Sequence, residues 1–262
     1  MQISKVHILY FSATYTTRKI VILLGKELAS EVVEYDMIKN PVLEEVILSE
    51  NDLLLVGMPV YAGRIPPLAV SAVNQFKGNR SPAVITCVYG NREYDDALLE
   101  LKDLVVENGF KVVSAAAFIA QHAIFPKVGM SRPDDEDNKE IILFAQKTKD
   151  LLNSIDSVAT LPEIAVPGNR PYKMPGSIPI YPSGNKKCDE CGTCVHLCPT
   201  HAIPEDNPRK TIKDKCITCG RCIVVCPQDS RHFGGLIYKA AKSKFEKAYA
   251  QQRKEAEMIF AQ

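Results

Sequence analysis

Apolar runs alternate with helix-period stretches over the first 155 residues of the chain. The runs Val6–Phe11, Val32–Asp36, Asp52–Gly57, Ala83–Tyr89 and Lys111–Ala120 predict strands, being short, apolar and bounded by polar or turn residues. Between and after them, helices are predicted near Thr17–Ser30, Pro67–Phe76, Tyr94–Asn108 and Glu136–Ile155. In the third, Leu98, Leu101, Leu104 and Val105 recur on one helix face, and Gly109 follows where a helix ends readily. Strands and helices in this alternation predict the α/β fold class, with a doubly wound five-stranded parallel sheet.

The pattern then changes. Pro162, Pro167, Pro171, Pro175, Pro179 and Pro182, with Gly168, Gly176 and Gly184, predict a linker or an extended segment laid over a surface. Leu236 to Gln262 is rich in Lys, Ala, Glu and Gln and predicts one helix. The chain thus divides into residues 1–158, a Pro/Gly-rich linker at 159–184, a cysteine-rich module at 185–235 and a C-terminal helix at 236–262.

Composition refines this picture. A chain of 262 residues, 46% hydrophobic and 24% charged, is of the soluble globular type. Residues 1–185 carry 18 Lys and Arg against 22 Asp and Glu, a net −4, whereas residues 186–262 carry 14 against 9, a net +5. That excess is too small and too local to predict nucleic-acid binding. No apolar stretch approaches the ~18 residues of a membrane span, and no small-residue cleavage site follows the N-terminal apolar run. Eight of the nine cysteines lie between positions 188 and 226, which argues against scattered disulfides and for a reducing, cytoplasmic setting.

Those eight form two copies of one pattern. Cys188-x-x-Cys191-x-x-Cys194-x-x-x-Cys198-Pro199 is repeated 28 positions later as Cys216-x-x-Cys219-x-x-Cys222-x-x-x-Cys226-Pro227. Zinc ribbons use two Cys pairs separated by a longer loop, so this spacing points instead to iron–sulfur ligation. The runs resemble those of bacterial 2[4Fe–4S] ferredoxins. The resemblance implies one cluster on Cys188, Cys191, Cys194 and Cys226, and a second on Cys216, Cys219, Cys222 and Cys198.

A second constellation lies at predicted strand ends. The first strand leads into Ser12-Ala13-Thr14-Tyr15-Thr16-Thr17-Arg18, where hydroxyls, backbone N–H groups and a helix N-terminus suit a phosphate. Ser and Thr are also ordinary helix caps. The loop resembles the FMN phosphate loop of flavodoxins, with Ser12, Thr14, Thr16 and Thr17 on its hydroxyl and amide positions and Tyr15 where that family usually has glycine. Gly57 to Pro66 resembles the first flavin-ring loop and Thr86 to Tyr94 the second. The resemblance implies FMN held by Ser12, Thr14, Tyr15, Thr16, Thr17, Pro59, Val60, Tyr61, Ala62, Gly63, Tyr89, Gly90, Asn91 and Tyr94. Tyr61 would stack on the ring with Tyr94 or Tyr89 opposite, and Gly63 would permit a backbone flip. Arg64 and Arg92 are either ring-facing or solvated, His122 is a strand-end histidine that could face the flavin, and Cys87 is an inert core thiol.

Together the two regions resemble fused flavodoxin–ferredoxin proteins of the EFR type. That implies an electron carrier with FMN and two [4Fe–4S] clusters, serving redox partner proteins of unstated identity, with a homodimer left open. No Walker loop, HExxH, Ser-His-Asp grouping or GxGxxG after a strand is present. Two alternatives stand beside it: a reductase in which the cysteine module feeds a flavin that reduces a small molecule, and an iron–sulfur redox sensor.

Overall fold

The computed structural model describes residues 1–176 and 179–261. In chain order the N-terminal elements are β1 (Lys5–Tyr10), α1 (Thr16–Leu28), β2 (Glu31–Asp36), β3 (Val46–Leu48), β4 (Asp52–Pro59), α2 (Leu68–Val73), β5 (Phe76–Gly78), β6 (Ser81–Tyr89), α3 (Ala97–Glu107), β7 (Phe110–Ile119) and α4 (Asp135–Asn153). The C-terminal elements are β8 (Ser183–Gly184), α5 (Thr193–His196), α6 (Arg221–Val224), β9 (Arg231–His232), α7 (Gly235–Tyr249) and β10 (Glu257–Phe260).

The main sheet has six strands in the order β10-β7-β6-β4-β1-β2. The five N-terminal members pair in parallel. Numbered among themselves they run 2-1-3-4-5, the flavodoxin-like order, whose topological switch lies between β1 and β4. Leu53 to Val56 of β4 are fully buried without interruption, as expected for a central parallel strand covered on both faces. Alternation sorts its side chains between two cores: Leu53 and Leu55 pack with α1 and α4, and Leu54, Val56 and Met58 pack with α2 and α3. Each such side chain contributes roughly 1.5–3 kcal/mol of burial.

Two expectations are corrected here. The parallel sheet has a sixth, antiparallel member, β10, in register from Glu257↔Ala117 to Phe260↔Ser114 along β7. Correspondingly, the final helix stops at Tyr249 instead of running to Gln262, a residue outside the described set. The cause is the short apolar run Met258-Ile259-Phe260, which covers the open edge of β7, with Phe260 lying 5.4 Å from Phe144 of α4.

The expected linker is a strap over α3 as far as residue 176. Asp96, at the start of that helix, accepts from the backbone N–H groups of Asn169 (2.8 Å) and Lys173 (2.6 Å), and these bonds hold its carboxyl below the usual range. Arg170 and Tyr172 both donate to Asp103, about two turns further on. Arg64 donates to the Lys173 carbonyl at 3.0 Å and pairs with Glu100. The part of the expected linker at 177–178 lies outside the described residues.

The cysteine module repeats in its backbone as it does in sequence. Glu190 and Thr218, Gly192 and Gly220, and His201 and Asp229 are pairs 28 positions apart, and every member has positive φ. Gly192 and Gly220 sit at the left-handed turn that opens α5 and α6, so each Cys-x-x-Cys-x-x-Cys run wraps the same way.

Candidate functional site

The carboxyl ends of β1, β4, β6 and β7 open into one cavity of about 580 Å³. The loop after β1 supplies Ala13, Thr14, Thr16 and Thr17, and the loop after β4 supplies Pro59 to Gly63. Tyr89 and Gly90 close it from β6, and Gln121 to Phe125 from β7. The last wall comes from beyond the sheet: Ile180, Tyr181, Cys216, Ile217, Thr218 and Phe245.

Local geometry explains these placements. Ser12 Oγ accepts from the Arg18 N–H at 3.0 Å, closing the first loop, and the Thr14 and Thr16 hydroxyls lie 3.4 Å apart. Tyr15 takes the left-handed backbone conformation, φ 67°, which explains why glycine suits this place in the resembling loops. Its ring lies under the Arg221 guanidinium, 4.7 Å from the centroid. Gly63 (φ 87°) leaves no room for a side chain, since a Cβ there would stand 2.6 Å from an Asp95 carboxylate oxygen. At Gly90 the obstacle would be His122, 2.6 Å away.

Four residues expected at the flavin stand outside the cavity wall, and each has another partner. The Ser12 hydroxyl faces the start of α1, and Tyr15 faces Arg221. Asn91 is fully buried and binds the C-terminal segment: its amide donates to the Tyr249 and Gln252 carbonyls, and its carbonyl accepts from Lys254 N–H. Tyr94 packs on Tyr89 and donates to Glu257 of β10. Tyr61 lines the cavity with its ring edge-on to Phe11, and burial raises its phenol pKa well above the usual value. Arg64 is held by Glu100, whereas Arg92 reaches the wall while paired to Asp95. Cys87 is fully buried.

His122 does line the cavity. Its Nδ1 accepts from the Ile124 and Phe125 N–H groups at 3.1 and 3.2 Å, so the ring is neutral with its proton on Nε2. Burial, aided by the charge of Arg92, lowers its pKa to about 4.

Neighbourhood among the eight thiols follows position in the repeat. Burial pushes the Cys219 thiol up to about 12, and Cys222, Cys198 and Cys216 press the same way. Cys194 is raised by burial and by Cys188 and Cys226. Cys198 Sγ accepts from Ala202 N–H at 3.2 Å and Cys226 Sγ from Ser230 N–H at 3.3 Å, equivalent bonds in the two halves of the repeat. Among the described residues no three Cys, His, Asp or Glu side chains converge closely enough for a single metal ion. Burial raises the thiols of Cys194, Cys216 and Cys222, and the buried charge of Arg231 opposes that push at all three.

A family model, the 4Fe-4S dicluster domain, matches residues 183–255. The chain joins a domain of flavodoxin-like strand order to a region that matches the 4Fe-4S dicluster model. Solved structures similar to the flavodoxin-like domain include flavodoxin 2 from Bacillus cereus in its oxidised form (17% identity, 56% of this chain and 99% of that one, TM-score 0.43). Another is the Fusobacterium nucleatum flavodoxin bound to flavin mononucleotide (17% identity, 58% and 96%, TM-score 0.38). Rubredoxin oxygen:oxidoreductase from Desulfovibrio gigas also matches (14% identity, TM-score 0.42), with 58% of this chain covering 37% of that longer one. No curated protein matches the chain. No helix among the described residues is long and apolar enough to cross a membrane.

The wall residues Ile180, Ile217, Thr218 and Phe245 were not foreseeable as site residues. Ile180 comes from the Pro-rich stretch and the others from segments that look like module core or helix face, and only packing of these C-terminal segments against the sheet brings them to the cavity. Cys219 and Ile217 pack into the same apolar core as Tyr61.

Proposed function

We propose that this protein carries electrons between two [4Fe–4S] clusters and FMN, and passes them to a redox partner protein in the cytoplasm. One observation carries the reading: Cys216, an expected cluster ligand, stands in the wall of the cavity that the phosphate-loop threonines also line. When bound, FMN supplies two-electron chemistry and each cluster supplies one-electron chemistry.

The chain's own groups suit these cofactors. Thr14, Thr16 and Thr17, with the start of α1, present neutral donors to a phosphate. Pro59, Val60, Tyr61, Ala62, Gly63, Tyr89 and Gly90 offer flat, mainly apolar contact for a ring. His122 holds a proton on Nε2 at that wall, available as a neutral donor. Cys188, Cys191, Cys194 and Cys226 would hold one cluster, and Cys216, Cys219, Cys222 and Cys198 the other, an assignment supported by the neighbours of Cys194 and Cys219. Ile180, Ile217 and Phe245 exclude water from the junction.

The test is cofactor content after anaerobic purification or reconstitution. About one FMN with about eight iron and eight sulfide per chain is expected. Zinc in place of iron, or a chain that retains clusters yet binds no flavin, contradicts the proposal. A second reading, reduction of a small molecule at the flavin, is favoured by the polar groups Gln121, His122 and Arg92 at the same wall, and turnover assays with NAD(P)H and candidate acceptors test it.

A further inference from the structure

The 28-residue repeat is broken at one informative place. Thr193 of the first run has its hydroxyl 3.4 Å from Cys191 Sγ, serving its own half of the module. Its counterpart 28 positions on is Arg221, whose side chain leaves the module altogether. It crosses to the phosphate loop, where Nη1 donates to the Ala13 carbonyl at 3.3 Å and the guanidinium covers the ring of Tyr15. Gly220, just before it, approaches Thr14 and Ala123 of the same domain: a Cβ there would lie 3.6 Å from the Thr14 methyl.

This guanidinium is buried, at 2% exposure, yet it forms no ion pair among the described residues. Its Nε has no hydrogen-bond partner among the described residues. A buried cation with a free donor is costly unless an anion stands nearby. Among the described residues the two cations beside the loop are already engaged: Arg18 is taken by Tyr10 and Glu34, and Lys19 by the Pro133 carbonyl. The loop offers hydroxyls and amides, and the missing charge comes from the other domain.

We propose that Arg221 is a positioning residue for the phosphate loop, contributed by the dicluster domain, whose buried charge favours a phosphate there, so that discrimination of FMN from riboflavin depends on docking of the two domains. This rests on the flavin reading above. Arg221 stands behind the loop and does not itself line the cavity, so its charge acts on a phosphate across the Ala13–Tyr15 segment that it braces; the same arginine, next to Cys222, ties loading of the flavin to the assembled cysteine module.

The test compares dissociation constants for FMN and riboflavin in the full-length, cluster-loaded protein. Arg221→Gln should weaken FMN by about tenfold, the effect of removing one buried positive charge close behind the phosphate, while riboflavin changes by less than about threefold. Arg221→Lys, which keeps the charge without the fork, should lower the FMN preference by about threefold and decides the matter if the glutamine variant loses its iron. In the wild type, FMN should slow amide exchange across residues 219–223 and riboflavin should not. An unchanged FMN-to-riboflavin ratio in the variants, or equal protection by both flavins, overturns the proposal. Wild-type protein that binds neither flavin refutes the flavin reading instead.

Discussion

Asn91 was expected at the flavin and is found as the fastening of the C-terminal segment. Its side chain is fully buried and makes three hydrogen bonds: to Tyr249 O (3.3 Å), to Gln252 O (2.7 Å) and from Lys254 N (3.2 Å). Asn91→Ala removes all three and leaves their partners unpaired, at about 1 kcal/mol each, or about 3 kcal/mol in all. The position has φ 58°, and an alanine there adds about 1 kcal/mol of strain that asparagine tolerates better. Asn91→Gly avoids that strain but loses the same bonds, so it too should cost about 3 kcal/mol once the extra freedom of its unfolded chain is included. The damage should be local, because β10 and the turn before it touch the rest of the sheet along one edge only. Native-state hydrogen exchange is the assay. Protection of the β10 amides and of Ala261, which donates to Val113 O, should fall by about 100-fold in Asn91→Gly and by several hundredfold in Asn91→Ala while the amides of β4 stay protected. Protection of β10 within about threefold of wild type in both would refute the assignment of Asn91 as the clamp.

Three further expectations follow from the site. His122 has a folded-state pKa near 4, below its unfolded value of about 6.5, so the unfolded chain binds the extra proton first; stability should be full above pH 6.5 and decline by about 3 kcal/mol as pH falls to 4, and His122→Gln should flatten that window in urea titrations. Cys198→Ala should alter the electron paramagnetic resonance signal of the cluster on Cys216, Cys219 and Cys222, and damage confined to the other cluster would show that the ligands do not cross. Replacing Thr14 and Thr17 together with alanine should lower FMN affinity by about 100-fold with riboflavin much less affected, measured by flavin fluorescence, and unchanged FMN binding would remove the phosphate-loop assignment.

The parallel sheet was legible because its strands are continuous apolar runs, and burial on both faces requires that pattern. The three loops at strand ends were legible for the same reason: once the strands are placed, Thr14, Tyr61 and Gly90 must fall at their carboxyl ends. The cysteine repeat declares itself through spacing. What stayed hidden depends on contacts distant in sequence. Met258-Ile259-Phe260 is only three apolar residues behind a charged helix, too short to stand out from helix continuation. Val46–Leu48 and Phe76–Gly78 pair with each other across some 30 positions and carry too few residues for alternation to show. Tyr94 and Asn91 looked like ring-loop residues because of where they stand, but Glu257 and Lys254 claim them from more than 160 positions away. In sequence Arg221 is one of 14 Lys and Arg in residues 186–262, and only its burial against Ala13 and Tyr15 singles it out.

Electrons should pass between the flavin and the two clusters along one path across the junction at Cys216, Ile217 and Tyr61. The decisive experiment is anaerobic reductive titration of the fully loaded protein, followed by rapid-mixing absorbance at several protein concentrations. About four electrons per chain are expected, two at the flavin and one at each cluster, with flavin bleaching through the clusters at a rate independent of protein concentration. A total near two electrons, or a bleaching rate that rises in proportion to protein concentration, would contradict it.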